Sequence, residues 1–339
     1  MKLTSKLVVA AVALAALGSF TASTPAQADA PKLRIAWIVP GADAPLQLFK
    51  RPGIAQHEDK SYTLEFDHFT ATPAMITALA SGQVDIVPFA YSSFPLAVEN
   101  AKLDDLRIIA DGFRDGVPGY YSSEFMVAKD SPIRKVEDLK GKVVTSNGAG
   151  SAVDIALRVM LKKHGLQDKR DYSLIESAFP NMKSELAEHK VDLISGVTPF
   201  SQDPQLRANA RVLFQQKDAI GVSQMIIFAA RASFIQKNRA ALVDFLEDNL
   251  REIKWYHDPA NREGAIKDVT GFTKTPAALW DSWIFTKGDL YHDPKGLPDL
   301  DALARNISDA HDLGFVPANL DPKKYADLSL VQEAAKRIK

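Results

Sequence analysis

Past residue 30 the apolar positions come in short bursts whose period switches between two and about three and a half, the mark of strands alternating with helices. Leu33–Val39 is a β-branched run closed by Pro40-Gly41, and Tyr62–Phe69 alternates up to Thr70-Ala71-Thr72-Pro73; both predict strands. Thr72 suits an N-cap and Pro73 a first helical position for Ala74–Ser81, where Met75, Ile76 and Leu79 make one apolar face before Gly82. Val84–Phe89 predicts the next strand, and Ser93 and Pro95 open a helix over Pro95–Ala101. The order strand, helix, strand, helix implies a mostly parallel sheet covered by helices.

The same grammar returns further on. Val143–Thr145 reads as a strand, Ser146–Gly150 as a loop, and Ser151 with Asp154 three residues later as a capping box opening a helix. Tyr172–Glu176, Asn181–Glu188 and Val191–Ser195 then predict strand, helix and strand. At a constant offset of 107, Ala71, Pro73, Met75, Leu79, Ala80, Val84 and Asp85 recur as Ala178, Pro180, Met182, Leu186, Ala187, Val191 and Asp192. The expected class is therefore α/β, with two similar lobes. Apolar extended runs at Ser123–Lys129 and Ser223–Ala230 flank the second unit, so if both cross, they form a two-strand hinge. The predicted division is residues 31–122 with 226–339 for a discontinuous first lobe and 123–225 for the second. From Phe234 the pattern is helical, over Lys237–His257, Pro276–Phe285, Asp299–Leu313 and Leu330–Ile338.

Residues 1–30 stand apart. Lys2 and Lys6 precede an apolar run from Leu7 to about Leu17 and then Ala26-Gln27-Ala28, the layout of a cleaved signal peptide; the run falls well short of the ~20 residues that span a bilayer. This predicts export to a bacterial periplasm. The 339 residues are 46% hydrophobic and carry a formal net charge of −1, and there is no cysteine. Cysteine-based metal sites, thiol nucleophiles and a lipid-bearing N-terminal Cys are excluded, and the balanced charge argues against nucleic acid. Seven histidines are scattered singly, so no metal and no cofactor is expected. Gly148-Ala149-Gly150-Ser151-Ala152-Val153 only half-matches a dinucleotide fingerprint, and neither G-x-x-x-x-G-K-[ST] nor G-x-S-x-G occurs.

The phrases Ala71-Thr72-Pro73, Ala78–Ile86 (ALASGQVDI), Asp138–Val144 (DLKGKVV), the helix start at Asn147–Ser151, and the late Gly288-Asp289-Leu290-Tyr291 and Tyr325–Ser329 segments resemble periplasmic solute-binding proteins of ABC importers, of the sulfonate/nitrate/taurine type. That resemblance implies a type II periplasmic-binding-protein fold, no catalysis, and a membrane permease with its ATPase as partners of a monomer. A related enzyme branch makes pyrimidine precursors but carries a cysteine-rich iron motif that is missing here. A pyrimidine-precursor-binding protein and an exported enzyme acting on small carboxylates are the alternatives.

Ligands of open α/β sheets sit beyond the carboxyl ends of strands, where helix N-termini present unpaired N–H groups. Four loops meet both conditions and supply Thr70, Ala71 and Thr72; Tyr91, Ser92 and Ser93; Asn147, Gly148, Ala149 and Ser151; and Phe179 and Asn181. Their hydroxyls, amides and small residues suit a small organic anion, a sulfonate or a carboxylate. Helix capping alone would also account for Thr72, Ser93, Ser151 and Asn181. Trp37, Tyr120 and Phe200 join Tyr91 and Phe179 as aromatics that line either cleft or core, Thr198 lies in a second-lobe loop, and Arg114 is the nearby cation.

Overall fold

The computed structural model describes residues 30–39, 46 and 48–338; the expected signal segment falls outside them, apart from Ala30. The first sheet has the order β2-β1-β3-β10-β4, built from β1 (Lys32–Trp37), β2 (Thr63–His68), β3 (Ile86–Ala90), β4 (Leu106–Asp115) and the late β10 (Ser223–Arg231). Strands β1, β2 and β3 pair in parallel, while β10 runs antiparallel between β3 and β4. Helices α1 (Thr72–Ala80) and α2 (Ser93–Glu99) follow β2 and β3.

The second sheet comes from the chain between. Its strands are β5 (Glu124–Ala128), β6 (Val143–Ser146), β7 (Ser173–Glu176), β8 (Ile194–Gly196) and β9 (Ala210–Gln215), with α3 (Ala152–Lys163) after β6 and α4 (Phe179–Ala187) after β7. The ladders β8-β5-β9 and β6-β7 join through a parallel bridge between Val144 and Leu193, so the strands run β7-β6-β8-β5-β9. Both sheets thus place a parallel trio beside one antiparallel strand that arrives from the other lobe.

The two lobes repeat each other in chemistry as well as in order. Helices α1 and α4 occupy equivalent positions at the offset of 107, and the residue closing each turn, Gly82 or His189, has positive φ, +73° and +54°. After that turn an aspartate ties back to the neighbouring strand, β1 in the first sheet and β6 in the second. An Asp85 carboxylate oxygen accepts from the Arg34 amide at 3.1 Å, and an Asp192 oxygen from the Val143 amide at 2.9 Å. Asp85 is the more deeply engaged, also accepting from Arg34 Nε at 2.8 Å and Nη2 at 2.6 Å.

The remaining chain reinforces the first sheet. Short helices α5 (Pro204–Asn209) and α6 (Gln216–Ile220) flank β9, and after β10 come α7 (Ala232–Tyr256), α8 (Arg262–Thr273), α9 (Ala278–Asp281), α10 (Leu300–Asp312) and α11 (Ser329–Arg337). Helices α7 and α11 pack Leu242, Leu246, Leu330 and Val331 against Leu33, Ile35 and Ile109 of the sheet. All four tryptophans, 37, 255, 280 and 283, belong to this lobe. Among the described residues no helix is long and apolar enough to cross a membrane.

Several sequence expectations are corrected. Strand β4 and helix α8 were not foreseen, and the predicted helix over Pro276–Phe285 shrinks to the single turn of α9. The apolar runs at Ser123–Lys129 and Ser223–Ala230 form the antiparallel strands β5 and β10, each lying in the sheet of the lobe that the chain is entering. The crossings are the turns before them, pinned side by side where the Gln216 amide donates to Ser123 O at 2.7 Å and the Lys217 amide to Ser122 Oγ at 3.0 Å.

Candidate functional site

A cleft lies where the carboxyl ends of both parallel trios face each other, with a cavity volume of about 70 Å³. The first lobe contributes Ile38 and Val39 after β1, Thr72 at the head of α1, and Pro88 and Ala90 of β3. The second contributes Asn147, Ser151, Ala152 and Val153 at the head of α3, Phe179 at the head of α4, and Val197 and Thr198 after β8. Phe113, Tyr121, Ser123, Met225, Ile226 and Leu290 form the floor at the crossings. None of these residues carries a charge at neutral pH, and most of the wall is hydrocarbon.

Polar atoms at the site are largely committed to one another. Ser151 Oγ accepts from the Asp154 amide at 3.3 Å, capping α3, and donates to Asn147 Oδ1 at 2.8 Å. The expected capping box is shifted by one residue, because the Asp154 carboxylate takes the Gly150 amide at 2.9 Å. Ser123 Oγ donates to buried Asp115 at 2.8 Å. Burial raises the Asp115 carboxyl above its usual range, opposed by the hydrogen bonds from Ser122 and Ser123. Tyr121 turns its hydroxyl out of the cleft, donating to Gly196 O at 2.8 Å, and burial raises its titration well above normal.

Thr72 and Thr198 differ from these. They are 5% and 2% exposed, they line the cavity from opposite lobes, and among the described residues neither hydroxyl has a hydrogen-bond partner. Thr72 is not the cap of α1, as expected; Ala71 holds that position, and Thr72 and Pro73 begin the helix. Likewise Asn181 is not the cap of α4, whose N-cap is Ala178. In both helices proline falls in the first turn, where it carries no N–H.

Of the residues expected at the site, Thr72, Asn147, Ser151, Phe179 and Thr198 line this cavity. Another group meets across its mouth instead. Tyr91 Oη donates to Ala152 O and Ser92 Oγ to Gly150 O, both at 2.9 Å; Asn147 Nδ2 reaches Thr70 O at 3.4 Å. Ala71 Cβ lies so close to Gly148 that a Cβ there would sit 3.1 Å away. These are lobe-to-lobe contacts, so the structure is in a closed form.

The rest lie elsewhere. Ser93 is within α2, not its cap, and its hydroxyl accepts from the Ala90 amide at 3.0 Å. The Ala149 amide donates to Glu176 Oε1 at 2.8 Å on the exposed rim. Asn181 is exposed. Trp37 packs on His68 and Phe272, with ring centroids 4.2 and 5.8 Å away, Tyr120 packs on Tyr291 at 5.1 Å, and Phe200 lies behind Phe179 at 6.4 Å. Arg114 is no ligand cation here: it donates to Leu297 O at 2.7 Å and pairs with Asp293 at 3.3 Å. Sequence reasoning missed the floor, because Phe113 sits on the unforeseen β4 and Leu290 in a loop with no period.

Residues 119–260 match the family model described as NMT1/THI5 like. Solved structures of the same fold include the alkanesulfonate-binding protein SsuA from Xanthomonas axonopodis pv. citri, bound to MOPS, with a TM-score of 0.69 at 18% identity, covering 89% of this chain and 99% of that one. The periplasmic nitrate-binding protein NrtA from Synechocystis PCC 6803 superposes with a TM-score of 0.71 at 14% identity, covering 91% and 89%. The desulfurization enzyme DSZB shares the fold as well, with a TM-score of 0.66 at 13% identity, covering 91% and 100%. This chain therefore has the two-lobed periplasmic-binding-protein fold, with an NMT1/THI5-like segment at residues 119–260.

Proposed function

We propose that this chain is the substrate-binding component of an ABC importer, exported to the periplasm, which captures a small organic molecule by lobe closure and hands it to a permease driven by a separate ATPase. The observation that carries the reading is the uncharged cleft enclosed between two lobes whose rims already touch. A ligand favours the closed form only through contacts that both lobes make at once, and Thr72 and Thr198 face it from opposite sides. An anionic end group, as in a sulfonate or carboxylate, would be held by hydroxyls and by the positive dipole ends of α1, α3 and α4. The lobe division at residues 122/123 and 225/226, and a monomeric state, belong to the same proposal.

DSZB favours a second reading, an exported enzyme on the same scaffold. One experiment separates the two. The purified protein is screened by thermal shift against sulfonates, carboxylates and pyrimidines, and each hit is incubated for a day and examined by mass spectrometry. Recovery of the hit unchanged, with a smaller radius of gyration by X-ray scattering when bound, supports capture. Conversion of the hit, or binding that leaves the scattering curve as it was, overturns it.

A further inference from the structure

The polar inventory of the cleft narrows what can fill it. Ser123, Asn147 and Ser151 are already engaged with Asp115 and with each other, whereas the hydroxyls of Thr72 and Thr198, one on each lobe, have no partner among the described residues and open onto the cavity. A ligand that fills the cleft takes water away from these hydroxyls, and a hydroxyl left without a partner on burial is disfavoured, so the ligand must supply one. Two donors that line one cavity from opposite lobes suit an acceptor group, a carboxylate or carbonyl, that both reach as the lobes close. Pro73 and Pro180 each remove an N–H from the first turns of α1 and α4, so those helices offer fewer backbone donors to a second polar group. Among the described residues the rest of the wall is mostly apolar, with Phe113, Phe179, Met225 and Leu290 prominent in it.

We infer that the cavity takes a solute with one polar end and an apolar body, its end clamped by Thr72 and Thr198, and rejects solutes charged at both ends. The inference rests on the binding role proposed above. A second charge would be buried against hydrocarbon with no ionic partner among the described lining residues, which strongly disfavours it. Inorganic anions fail for the opposite reason: they have no body to fill the apolar side.

Isothermal titration calorimetry on the mature full chain tests this with matched probes: benzoate, phenylacetate and hexanoate, each beside its ammonium-bearing counterpart, namely 4-(aminomethyl)benzoate, 4-(aminomethyl)phenylacetate and 6-aminohexanoate, with taurine and nitrate alongside. At least one single-ended probe binds, and its counterpart is weaker by about a hundredfold or more. Thr72→Val and Thr198→Val, which keep side-chain shape, each weaken that probe by about three- to tenfold while the urea midpoint stays in place. Equal affinity for an ammonium counterpart or for taurine overturns the inference and leaves the binding role standing. So does unchanged affinity in both valine variants. If no probe of either kind binds, the binding role fails and the inference falls with it.

Discussion

Replacing Asp85 with alanine removes a group on which the first lobe's sheet leans at three points. Its carboxylate accepts from the Arg34 amide, Nε and Nη2 at 3.1, 2.8 and 2.6 Å, and the ion-paired side chain is only 8% exposed. Alanine leaves the Arg34 amide of β1 without its acceptor and strips the guanidinium of two charge-assisted bonds. The guanidinium is about one-third exposed and keeps Gly82 O at 2.5 Å, so water recovers part of the loss. The net cost is about 2–4 kcal/mol. The repeat-equivalent Asp192 is a control within the same molecule: it accepts the Val143 amide at 2.9 Å but is 35% exposed and has only Lys142 at 3.6 Å as a salt-bridge partner. Asp192→Ala should therefore cost about 1 kcal/mol. Urea unfolding of the ligand-free protein measures both, with tryptophan fluorescence reporting on the lobe that holds all four tryptophans and far-UV circular dichroism on the whole chain. Asp85→Ala lowers the fluorescence midpoint, and Asp192→Ala shifts the dichroism midpoint far less. A loss from Asp192→Ala equal to or greater than that from Asp85→Ala would refute the claim that depth of burial, rather than position in the repeat, sets the cost.

Three further outcomes are expected. A Cβ on Gly112 would sit 2.6 Å from Ile226 Cγ2 and 2.9 Å from its carbonyl oxygen, so Gly112→Ala should cost about 1–3 kcal/mol and displace Ile226 into the cleft, read as a lowered melting temperature together with weaker binding of any ligand found. Tyr91→Phe combined with Ser92→Ala removes two bonds that the lobes make only when closed, at about 0.5–1.5 kcal/mol each, and should weaken binding of any ligand found by about tenfold or more; unchanged affinity would show that these contacts do not favour the closed form. Two buried groups give opposite pH dependences. Burial pushes Asp111 up to about 7 from an ordinary 3.8, so the folded state holds a proton that the unfolded chain has lost, and its contribution declines as pH rises through that window. Burial pushes His292 down to about 4 from 6.5, so its contribution grows as pH rises from about 4 to 6.5. The stability difference between the parent and Asp111→Asn should thus fall with pH while that between the parent and His292→Asn climbs, each by at most ~1.4 kcal/mol per pH unit; chemical denaturation at half-unit steps decides, and parallel slopes would count against both assignments.

How much of this was legible in the sequence depends on what kind of signal each element carries. Helices α1 and α4 and the strands around them announce themselves through periodicity, and the offset of 107 anticipates the shared arrangement of Asp85 and Asp192. Strand β4 hides because Asp111, Gly112 and Asp115 are residue types that strands disfavour, tolerated here because Gln224 and Ser123 satisfy the two aspartates. The cap assignments at Thr72 and Asn181 miss because an N-cap is a backbone conformation, and extended Ala71 and Ala178 adopt it without offering a side-chain bond. For the cleft, the loops are readable from strand–helix order, but which way a side chain turns is not. Tyr91 and Ser92 point toward the other lobe's carbonyls, and Tyr121 lines the floor with its ring rather than its hydroxyl.

The paired crossings carry a mechanical consequence. Because the Gln216–Ser123 and Lys217–Ser122 bonds hold both connecting turns along one edge, any rotation of the lobes is leverage about that edge, and displacement grows with distance from it. Thr70 and Asn147 meet at the opposite lip, so a pair of spin labels placed near them would see the widest travel, whereas labels beside Ser123 and Gln216 would hardly register motion.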